Sequence, residues 1–426
     1  MTSDAPTTAF VWVWLPGRAD PVVAGRVDDV GPFLQFTYGR SYRERDDAVP
    51  LYLPELPLQE GPQQPPAGFD AHGCIRDAAP DAWGQRVILH RMFGGGTRDR
   101  DTAELGLLTY LLAAGSDRIG ALDFQSSATT YTARSAAATL EELIAAADGV
   151  QAGDDLPEEL DQALLQGSSV GGARPKALLD DNGRPLIAKF SSPTDAFPWM
   201  PAEAAAMGLA RRAGLDVAGT RLISAVGHDV LLVERFDRVP GTGQRRMVVS
   251  GLTVLGLHEM QVRWGSYAEL ADTIRRRFTD PQATLRELFA RIVFNVLVGN
   301  TDDHPRNHAA FWDGKQLTLT PAFDVAPQPR RGGEAAQAMA IGPADPTGAD
   351  PTSAARLSQL SVCLDAAATY QLSVQEARGI IDMLVTVVHE QWDDACDEVG
   401  VPMALRNRLW GREICNPFVF EGYRHA

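Results

Sequence analysis

Three polar residues in the C-terminal half of the chain have the types and spacing that phosphoryl transfer requires. Asp302 lies five residues before Asn307 in the polar segment Asn-Thr-Asp-Asp-His-Pro-Arg-Asn, and an isolated Asp324 follows after a predicted hairpin. Phosphoryl transfer uses one carboxylate to orient and deprotonate the attacking hydroxyl, and an amide oxygen and a second carboxylate to hold Mg²⁺. In that order, Asp302 is the candidate catalytic residue, and Asn307 and Asp324 are the candidate Mg²⁺ ligands.

The segments around this motif predict a rigid base for it. Asp280 and Pro281 are typical of a helix start, and apolar residues recur after them at helical spacing. Residues 309–312 and 317–320 resemble strands and flank an Asp-Gly pair, which indicates a hairpin. Helix, polar loop, hairpin and Asp is the order of a kinase catalytic loop and its metal-binding segment. The alternative is a simple turn, because Asn, Asp and Pro favour turns through local hydrogen bonds.

An upstream segment has features of a phosphate-binding loop followed by a strand. Residues 167–176, Gly-Ser-Ser-Val-Gly-Gly-Ala-Arg-Pro-Lys, are rich in small side chains, so their backbone could approach a phosphate closely. The pattern is neither GxGxxG nor a Walker A motif, so it is a weak nucleotide signature. Lys189 lies in the next apolar strand, where a kinase needs a cation for the phosphates. Alternatively, its ammonium group simply reaches water.

Two further segments complete the predicted nucleotide-binding lobe. Glu203 lies in the first turn of an Ala-rich helix predicted over 201–213, where it either complements the helix dipole or pairs with Lys189. Residues 230–238 form a near-continuous apolar run that becomes polar at its end, as expected for a buried strand that leads into an inter-lobe hinge. The backbone groups of residues 234–236 are therefore candidates to hydrogen-bond adenine.

Taken together, these motifs resemble those of the HipA-type serine/threonine kinase toxins, the toxin components of bacterial two-gene toxin-antitoxin modules. The resemblance covers nearly the whole chain and rests on Ser-Val-Gly-Gly-Ala-Arg-Pro-Lys, Val-Glu-Arg-Phe-Asp-Arg, Thr-Asp-Asp-His-Pro-Arg-Asn and Leu-Thr-Pro-Ala-Phe-Asp-Val. It implies an α+β, two-lobed fold of the protein/phosphoinositide-kinase type. The expected domains are an N-terminal strand-rich subdomain (1–115), an ATP-binding lobe (116–240) and an all-helical C-terminal lobe (241–426) with the catalytic loop.

The resemblance also implies ATP and Mg²⁺ as cofactors and assigns roles to individual residues. Asp302 is then the catalytic Asp, with Asn307 and Asp324 on Mg²⁺. The implied nucleotide contacts are Ser169, Val170, Gly171, Gly172, Ala173, Lys176, Lys189, Glu234, Arg235, Phe236 and His304.

The family also implies a regulatory modification of the phosphate loop. In the family, a serine of this loop is autophosphorylated, which ejects the loop and inactivates the kinase. Ser169 matches that serine, although the neighbouring Ser168 leaves the modified residue open. The chain has Gly-Ala-Arg-Pro-Lys where the better-known family loop has Gly-Ala-Gln-Glu-Lys, a departure that bears on loop flexibility and phosphate contacts.

The N-terminal region and the overall composition fit this interpretation. Strand signals occur at 10–14, 22–27 and 33–38, an irregular connection at 56–69 and a helix near 140–146. The chain has 45% hydrophobic and 22% charged residues, and its four cysteines have no disulfide or zinc spacing. With no leader pattern and no long apolar run, we expect a cytoplasmic protein without membrane contact.

The net charge of −16 argues against direct nucleic-acid binding by the chain and favours basic protein partners. The resemblance implies a DNA-binding antitoxin of the HipB type and a protein substrate, with a translation-related enzyme as one candidate. The resulting prediction is an ATP- and Mg²⁺-dependent protein serine/threonine kinase that acts as a growth-inhibiting toxin. Three alternatives stay open: a small-molecule or lipid kinase of the same fold, a kinase-like non-enzymatic interaction module, and a binding protein in which 302–307 is a solvated turn.

Overall fold

The computed structural model of the chain describes residues 5–96, 100–135, 138–167, 174–192, 195–343 and 354–424. The chain divides into two compact units. The first contains residues 1–194, 223–249 and 311–315, and the second contains 195–222, 250–310 and 316–426. The division into three domains at 115 and 240 stays a prediction.

The first unit begins with an antiparallel five-stranded sheet. Its strands have the order β4-β3-β2-β1-β5 and are β1 (Thr8–Val13), β2 (Val22–Asp29), β3 (Leu34–Tyr38), β4 (Pro62–Gln63) and β5 (Leu122–Gln125). The three strands predicted at 10–14, 22–27 and 33–38 are therefore confirmed to within two residues. The helices of this region are α1 (Arg40–Arg43), α2 (Gly73–Asp77), α3 (Ala82–Phe93) and α4 (Leu107–Ala113).

A second sheet of four strands follows, with α5 (Leu140–Ala152) and α6 (Glu158–Ala163) before it. Its order is β6-β7-β9-β8, and its strands are β6 (Lys176–Asp181), β7 (Arg184–Phe190), β8 (Thr220–Ala225) and β9 (His228–Glu234). Asn182 and Gly183 join β6 to β7, both with positive φ, which is what a tight two-residue hairpin turn requires. One face of the sheet packs against α3 and α5 in a shared core that includes Trp83, Leu143 and Ala188.

The second unit is mainly helical. Its helices are α7 (Trp199–Arg212), α8 (Gly251–Val254), α9 (Tyr267–Arg277), α10 (Pro281–Val298), α11 (Leu360–Asp365), α12 (Val374–Glu398) and α13 (Met403–Leu409). The expectation of an all-helical lobe over 241–426 was wrong, because that range also contains β10 (Met247–Ser250), β11 (Ala309–Trp312) and β12 (Leu317–Leu319), which form a sheet in that order. Strands β11 and β12 are the predicted hairpin, and β10 pairs with β11. No helix among the described residues is both long enough and apolar enough to cross a membrane.

Helix α10 is the central element for the site. The Asp280 carboxylate accepts a hydrogen bond from the Ala283 amide at its start, and Gly299 ends it with φ of 68°. Twelve of its residues are buried, so the helix forms part of the core along most of its length. The helix predicted from the Asp-Pro start and the apolar spacing is therefore confirmed.

The start of α7 differs from the prediction. The helix begins at Trp199, two residues before the predicted start, so its first turn contains no acidic residue. Glu203 therefore lies in the second turn and is buried. The helix-dipole explanation of Glu203 was wrong, because that effect is confined to the first turn.

Candidate active site

The loop after α10 is tied to the end of that helix by asparagine side chains and backbone. The Asn300 amide donates to the Asn295 carbonyl oxygen at 2.9 Å, and Asn300 Nδ2 donates to Asn295 Oδ1 at 3.0 Å. A Cβ on Gly299 would lie 2.4 Å from the Glu413 carbonyl oxygen, so only glycine fits there. The loop therefore leaves α10 in a fixed direction.

Asp302 and Asn307 lie at the two ends of a short turn. Asn307 Nδ2 donates to the Asp302 carbonyl oxygen at 3.2 Å, and the His304 amide donates to the same oxygen at 2.8 Å. Because the amide nitrogen of Asn307 faces the loop backbone, its side-chain oxygen is the atom left to bind a cation. The Asp302 side chain is exposed. The structure thus brings two of the three predicted residues into one turn.

Asp324 acts electrostatically on Asp302. Partial burial raises the pKa of Asp302, and the negative charges of Asp324 and Asp303 raise it further, whereas the charge of His304 opposes them. A bound cation would remove the repulsion between these carboxylates. The described residues contain no cluster of three His, Cys, Asp or Glu side chains that could hold a metal. The Asp324 carboxylate and the Asn307 amide oxygen nevertheless fit Mg²⁺, which usually takes its other ligands from water and substrate phosphates.

The backbone at Asp324 is in the left-handed region, with φ of 59°. This conformation is uncommon for residues other than glycine, and asparagine and aspartate adopt it most readily. Two backbone hydrogen bonds fix Ala322, which lies two residues before Asp324. The Ala322 amide donates to the Asp216 carbonyl oxygen at 2.8 Å, and the Ala322 carbonyl oxygen accepts from the Ala218 amide at 2.9 Å. The surrounding backbone therefore holds Asp324 in its strained conformation.

Arg291 is a buried anchor for this region that sequence reasoning missed. From α10, its guanidinium donates to the carbonyl oxygens of Thr320 and Asp216 at 3.0 Å each, and to Glu287 Oε1 at 2.8 Å. These bonds attach the segment before Asp324 to the helix that precedes the candidate catalytic loop. The available signal was an arginine among the apolar positions of α10.

Asp303 is a second residue that sequence reasoning missed. One of its carboxylate oxygens, Oδ2, accepts hydrogen bonds from the Tyr267 hydroxyl, from Asn295 Nδ2 at 2.7 Å and from His308 Nε2 at 2.9 Å. The side chain is buried, whereas that of its neighbour Asp302 is exposed. The two adjacent aspartates therefore have different environments.

Residues 305 and 306 are held by neighbouring segments of the second unit. A Cβ on Gly265 would lie 2.4 Å from Pro305 Cγ, and Arg306 Nε donates to both carboxylate oxygens of Glu259, at 3.0 and 2.8 Å. The loop is therefore held by packing at Pro305 and by an ion pair at Arg306.

In the first unit, Lys176 and Lys189 lie directly opposite each other on β6 and β7. They are two of only three lysines in the chain, the third being Lys315. Side chains alternate along strands, so both lysines lie on the sheet face opposite to the shared core of α3 and α5. The same face carries the apolar residues Leu178, Ile187, Leu231 and Val233. Leu178, Leu231 and Val233 are buried, whereas Ile187 and Lys189 are half-buried and lie where this face is partly open.

The predicted hinge residues are partly engaged inside the first unit. The Arg235 amide donates to the Pro185 carbonyl oxygen at 3.1 Å, so it cannot also donate to adenine. The Arg235 guanidinium is fully buried and pairs with Asp237 and Asp117 at 2.8 and 2.9 Å. The role of the hinge in adenine binding stays a prediction, and it now rests on the backbone groups of Glu234 and Phe236 and on the Arg235 carbonyl.

The predicted nucleotide contacts that remain are the residues of the phosphate loop and His304. Ser168, Ser169, Val170, Gly171, Gly172 and Ala173 lie outside the described residues. His304 has a buried Nδ1 atom with no hydrogen-bond partner in the described part of the chain. Buried ring nitrogens normally have a partner, so this atom is available to a ligand.

The sequence and the fold are similar to those of several known proteins. Residues 168–392 match the family model described as the HipA-like C-terminal domain. A putative kinase, Y4mE, of Sinorhizobium fredii is 29% identical over 150 residues, and the serine/threonine-protein kinase toxin HipA of Shewanella oneidensis is 28% identical over 137 residues. These matches cover 33% and 28% of this chain, and only 34% and 32% of the relatives' own lengths.

The fold matches a chain of the solved complex of the Shewanella oneidensis toxin-antitoxin proteins HipA and HipB with operator DNA. The TM-score is 0.65 and the sequence identity is 19%, and the match covers 94% of this chain and 96% of the other. The agreement therefore concerns the fold over almost the full length of both chains.

Proposed function

The chain belongs to the family of the HipA-like C-terminal domain, and on this basis we propose that it is an ATP- and Mg²⁺-dependent protein serine/threonine kinase that acts as a growth-inhibiting toxin. The observation that carries the proposal is the turn that places Asp302 beside Asn307, with Asp324 close enough to raise the pKa of Asp302. These are the three side chains that a kinase needs, in the order that it needs them.

In this proposal, Asp302 orients a serine or threonine hydroxyl and accepts its proton as the oxygen attacks the γ-phosphorus of ATP. The bond from that phosphorus to the β–γ bridging oxygen breaks, and ADP leaves. Asn307 and Asp324 would hold Mg²⁺, which neutralises charge on the phosphates when bound. An exposed Asp302 suits the role, because the base must reach a hydroxyl on another molecule or segment.

The paired lysines support ATP as the phosphate donor. Two cations side by side on one sheet face suit the several negative charges of a triphosphate. Ile187, which is half-buried on the same face, is an apolar residue that would contact the adenine ring. His304 Nδ1 is a further atom that could contact the nucleotide.

The partners and the regulation are proposed from the family. We expect a DNA-binding antitoxin of the HipB type, because the fold matches a chain from a HipA, HipB and operator DNA complex and the chain is strongly acidic. We also propose that the chain is cytoplasmic, that it acts on a protein substrate, and that autophosphorylation of Ser169, or of Ser168, inactivates it. A translation-related enzyme is one candidate substrate.

Incubation of the purified protein with Mg²⁺ and ATP labelled at the γ-phosphate, followed by mass spectrometry, tests the proposal. The expected result is phosphate on a serine or threonine of the chain, absent from Asp302→Asn. Transfer to lipid or small-molecule acceptors alone would favour the other kinase class. Absence of both ATP binding and phosphate transfer would favour a non-enzymatic module and overturn the proposal.

A further inference from the structure

Asp303 is a buried anion beside the candidate catalytic residue, and the proposed chemistry gives it no role. It is 3% exposed. Burial alone would raise the pKa of Asp303, but the charge of His308 and the hydrogen bonds from His308 and Tyr267 lower it below its usual value. Burial and the neighbouring Asp303 raise the pKa of Tyr267, so its hydroxyl keeps its proton and donates. Asp303 is thus an ionised acceptor that three donors surround.

The three donors belong to three different parts of the second unit. Tyr267 is the first residue of α9, Asn295 lies in α10, and His308 follows the turn of the loop. The rings of Tyr267 and His308 also contact edge to face, with centroids 5.6 Å apart. Asp303 therefore joins two helices to the far end of the loop through one oxygen atom.

The same network reaches the near end of the loop. Asn295 gives its Nδ2 to Asp303 and accepts at Oδ1 from Asn300 Nδ2, so one side chain connects the two residues. Asn300 and His308 are thereby both fixed relative to α10. Asp302 and Asn307, the residues of the proposed chemistry, lie next to fixed residues and have their side chains outside this network.

The other polar anchor of the loop is less well placed to hold it. Arg306 and Glu259 are 30% and 41% exposed, and water screens such pairs so that they contribute little. The Asp303 network is buried and its hydrogen bonds are charge-assisted, which makes them stronger and more directional.

We propose that Asp303 is a positioning residue for phosphoryl transfer: its carboxylate holds Tyr267, Asn295 and His308 together and so fixes the backbone that carries Asp302 and Asn307. The inference rests on the proposed function, because it assigns Asp303 a role in the reaction of that site. A displacement of about 1 Å in catalytic groups can lower a rate by about 10²-fold, so a loop anchor of this kind affects turnover more than nucleotide binding.

Two buried tyrosines of the second unit offer a matched test. Tyr267→Phe removes one donor to Asp303, whereas Tyr370→Phe removes a hydroxyl that donates to the Ile341 carbonyl oxygen at 2.5 Å. Both tyrosines are at most 1% exposed, so the two variants lose the same group from equally buried sites. The measurements are kcat, the KM for ATP, and hydrogen exchange of the peptide covering 300–308 in the full-length protein.

Tyr267→Phe is expected to lower kcat about 10-fold or more with the KM for ATP nearly unchanged, and to speed exchange in 300–308. Tyr370→Phe is expected to do neither. Asp303→Asn should lower kcat further, and Asp303→Glu should recover less than the wild-type rate because the longer side chain misplaces the oxygen. If Asp303→Asn does not fold, the two tyrosine variants decide the question alone.

The proposed function and the positioning role of Asp303 can be refuted independently of each other. A wild-type protein that binds no ATP and transfers no phosphate would overturn the proposed function. Exchange in 300–308 that is the same in Tyr267→Phe as in Tyr370→Phe would overturn the role of Asp303, whether or not the wild type is active. Equal loss of kcat in both tyrosine variants would also overturn it, because the effect would then reflect general loss of packing.

Discussion

Lys176 and Lys189 are Cα partners in the ladder between β6 and β7, so their side chains emerge side by side from the same face of the sheet. Both lie on the face that carries Ile187 and Leu231. The arrangement concentrates positive charge in a chain whose net charge is −16. Lys315 is the only other lysine in the sequence, so chemical modification of lysines can test the proposed nucleotide binding.

Chemical modification of the lysine side chains should therefore show whether ATP binds at Lys189. We expect Mg²⁺ and ATP to protect the half-buried Lys189 from acylation, as measured by mass spectrometry, and to leave the exposed Lys315 unprotected. Lys189→Met should weaken ATP binding about 10-fold to 100-fold, which corresponds to loss of a charge-assisted contact of about 1.5–3 kcal/mol. Lys315→Met is the matched control. Equal protection of Lys189 and Lys315, or protection of neither, would contradict the assignment.

The two proposed catalytic carboxylates should be essential for transfer but not for folding. Asp302→Asn and Asp324→Asn each keep the size of the side chain, and asparagine tolerates the positive φ at residue 324. Loss of the base is expected to lower the rate by about 10² to 10⁴ with little change in melting temperature. Asp313→Asn, in the exposed hairpin turn, is the control and should be fully active. Full autophosphorylation by Asp302→Asn would refute its assignment as the base.

Autophosphorylation of Ser169, or of Ser168, should switch the protein off. A phosphate adds a charge of about −1.5 to −2 to the predicted phosphate loop, so we expect it to repel the ATP phosphates and to compete for Lys176 and Lys189. Phosphopeptide mapping of the active protein against Asp302→Asn, with ATP affinity measured for each form, tests this. Phosphorylated protein with undiminished ATP affinity would exclude the switch.

Arg291 should support the segment before Asp324. Arg291→Met keeps much of the apolar stem but leaves the carbonyl oxygens of Thr320 and Asp216 without their donor, which is expected to cost about 1–3 kcal/mol. The same change at Arg286, which is exposed on the same helix, should have little effect. Thermal melts of both variants, with and without Mg²⁺ and ATP, check the prediction. Equal melting temperatures for the two would contradict it.

His72 should make the first unit acid-sensitive. Burial lowers the pKa of His72 from 6.5 to about 4, although an interaction with the Gln64 backbone opposes the shift. Between those two pH values the unfolded chain binds a proton that the folded chain does not, so the free energy of unfolding falls as the pH falls. The full shift corresponds to about 3 kcal/mol.

The check for His72 is the change in melting temperature between about pH 7 and about pH 5. That change should be smaller in His72→Phe, which has no group to titrate, than in the wild type. His389→Phe, at an exposed position, should behave like the wild type. An unchanged pH dependence in His72→Phe would show that other groups cause the acid sensitivity.

The sequence predicted elements well where local signals agreed with packing. Helix α10 has a capping Asp, a Pro at its first position and apolar residues at helical spacing, and all three indicate the same element. The Asn-Gly turn between β6 and β7 is another such signal. It fixes the register of the hairpin, so the pairing of Lys176 with Lys189 could have been read from the sequence, although we had not predicted it. The family predicted from the motifs is confirmed.

The supporting contacts could not be predicted in the same way, because they join distant parts of the chain. Arg291 bonds to a carbonyl 75 residues away, and Tyr267 bonds to a carboxylate 36 residues away. The start of α7 was also predicted wrongly, because the helix begins at Trp199, two residues before Pro201, and includes the buried Met200. Local patterns specify neither tertiary partners nor such extensions, since both depend on the final packing.

The contact between Gly299 and Glu413 determines how late in translation the loop after α10 gains its support. The Cys415 amide also donates to the Leu297 carbonyl oxygen at 2.8 Å, so the segment around 413–415 covers the point where the loop begins. Roughly 110 residues separate Asp303 from Glu413, and at roughly 5–20 residues per second a ribosome needs about 5–20 s to add them. A nascent chain therefore emerges with the loop that carries Asp302 unsupported until residues 413–415 have been added.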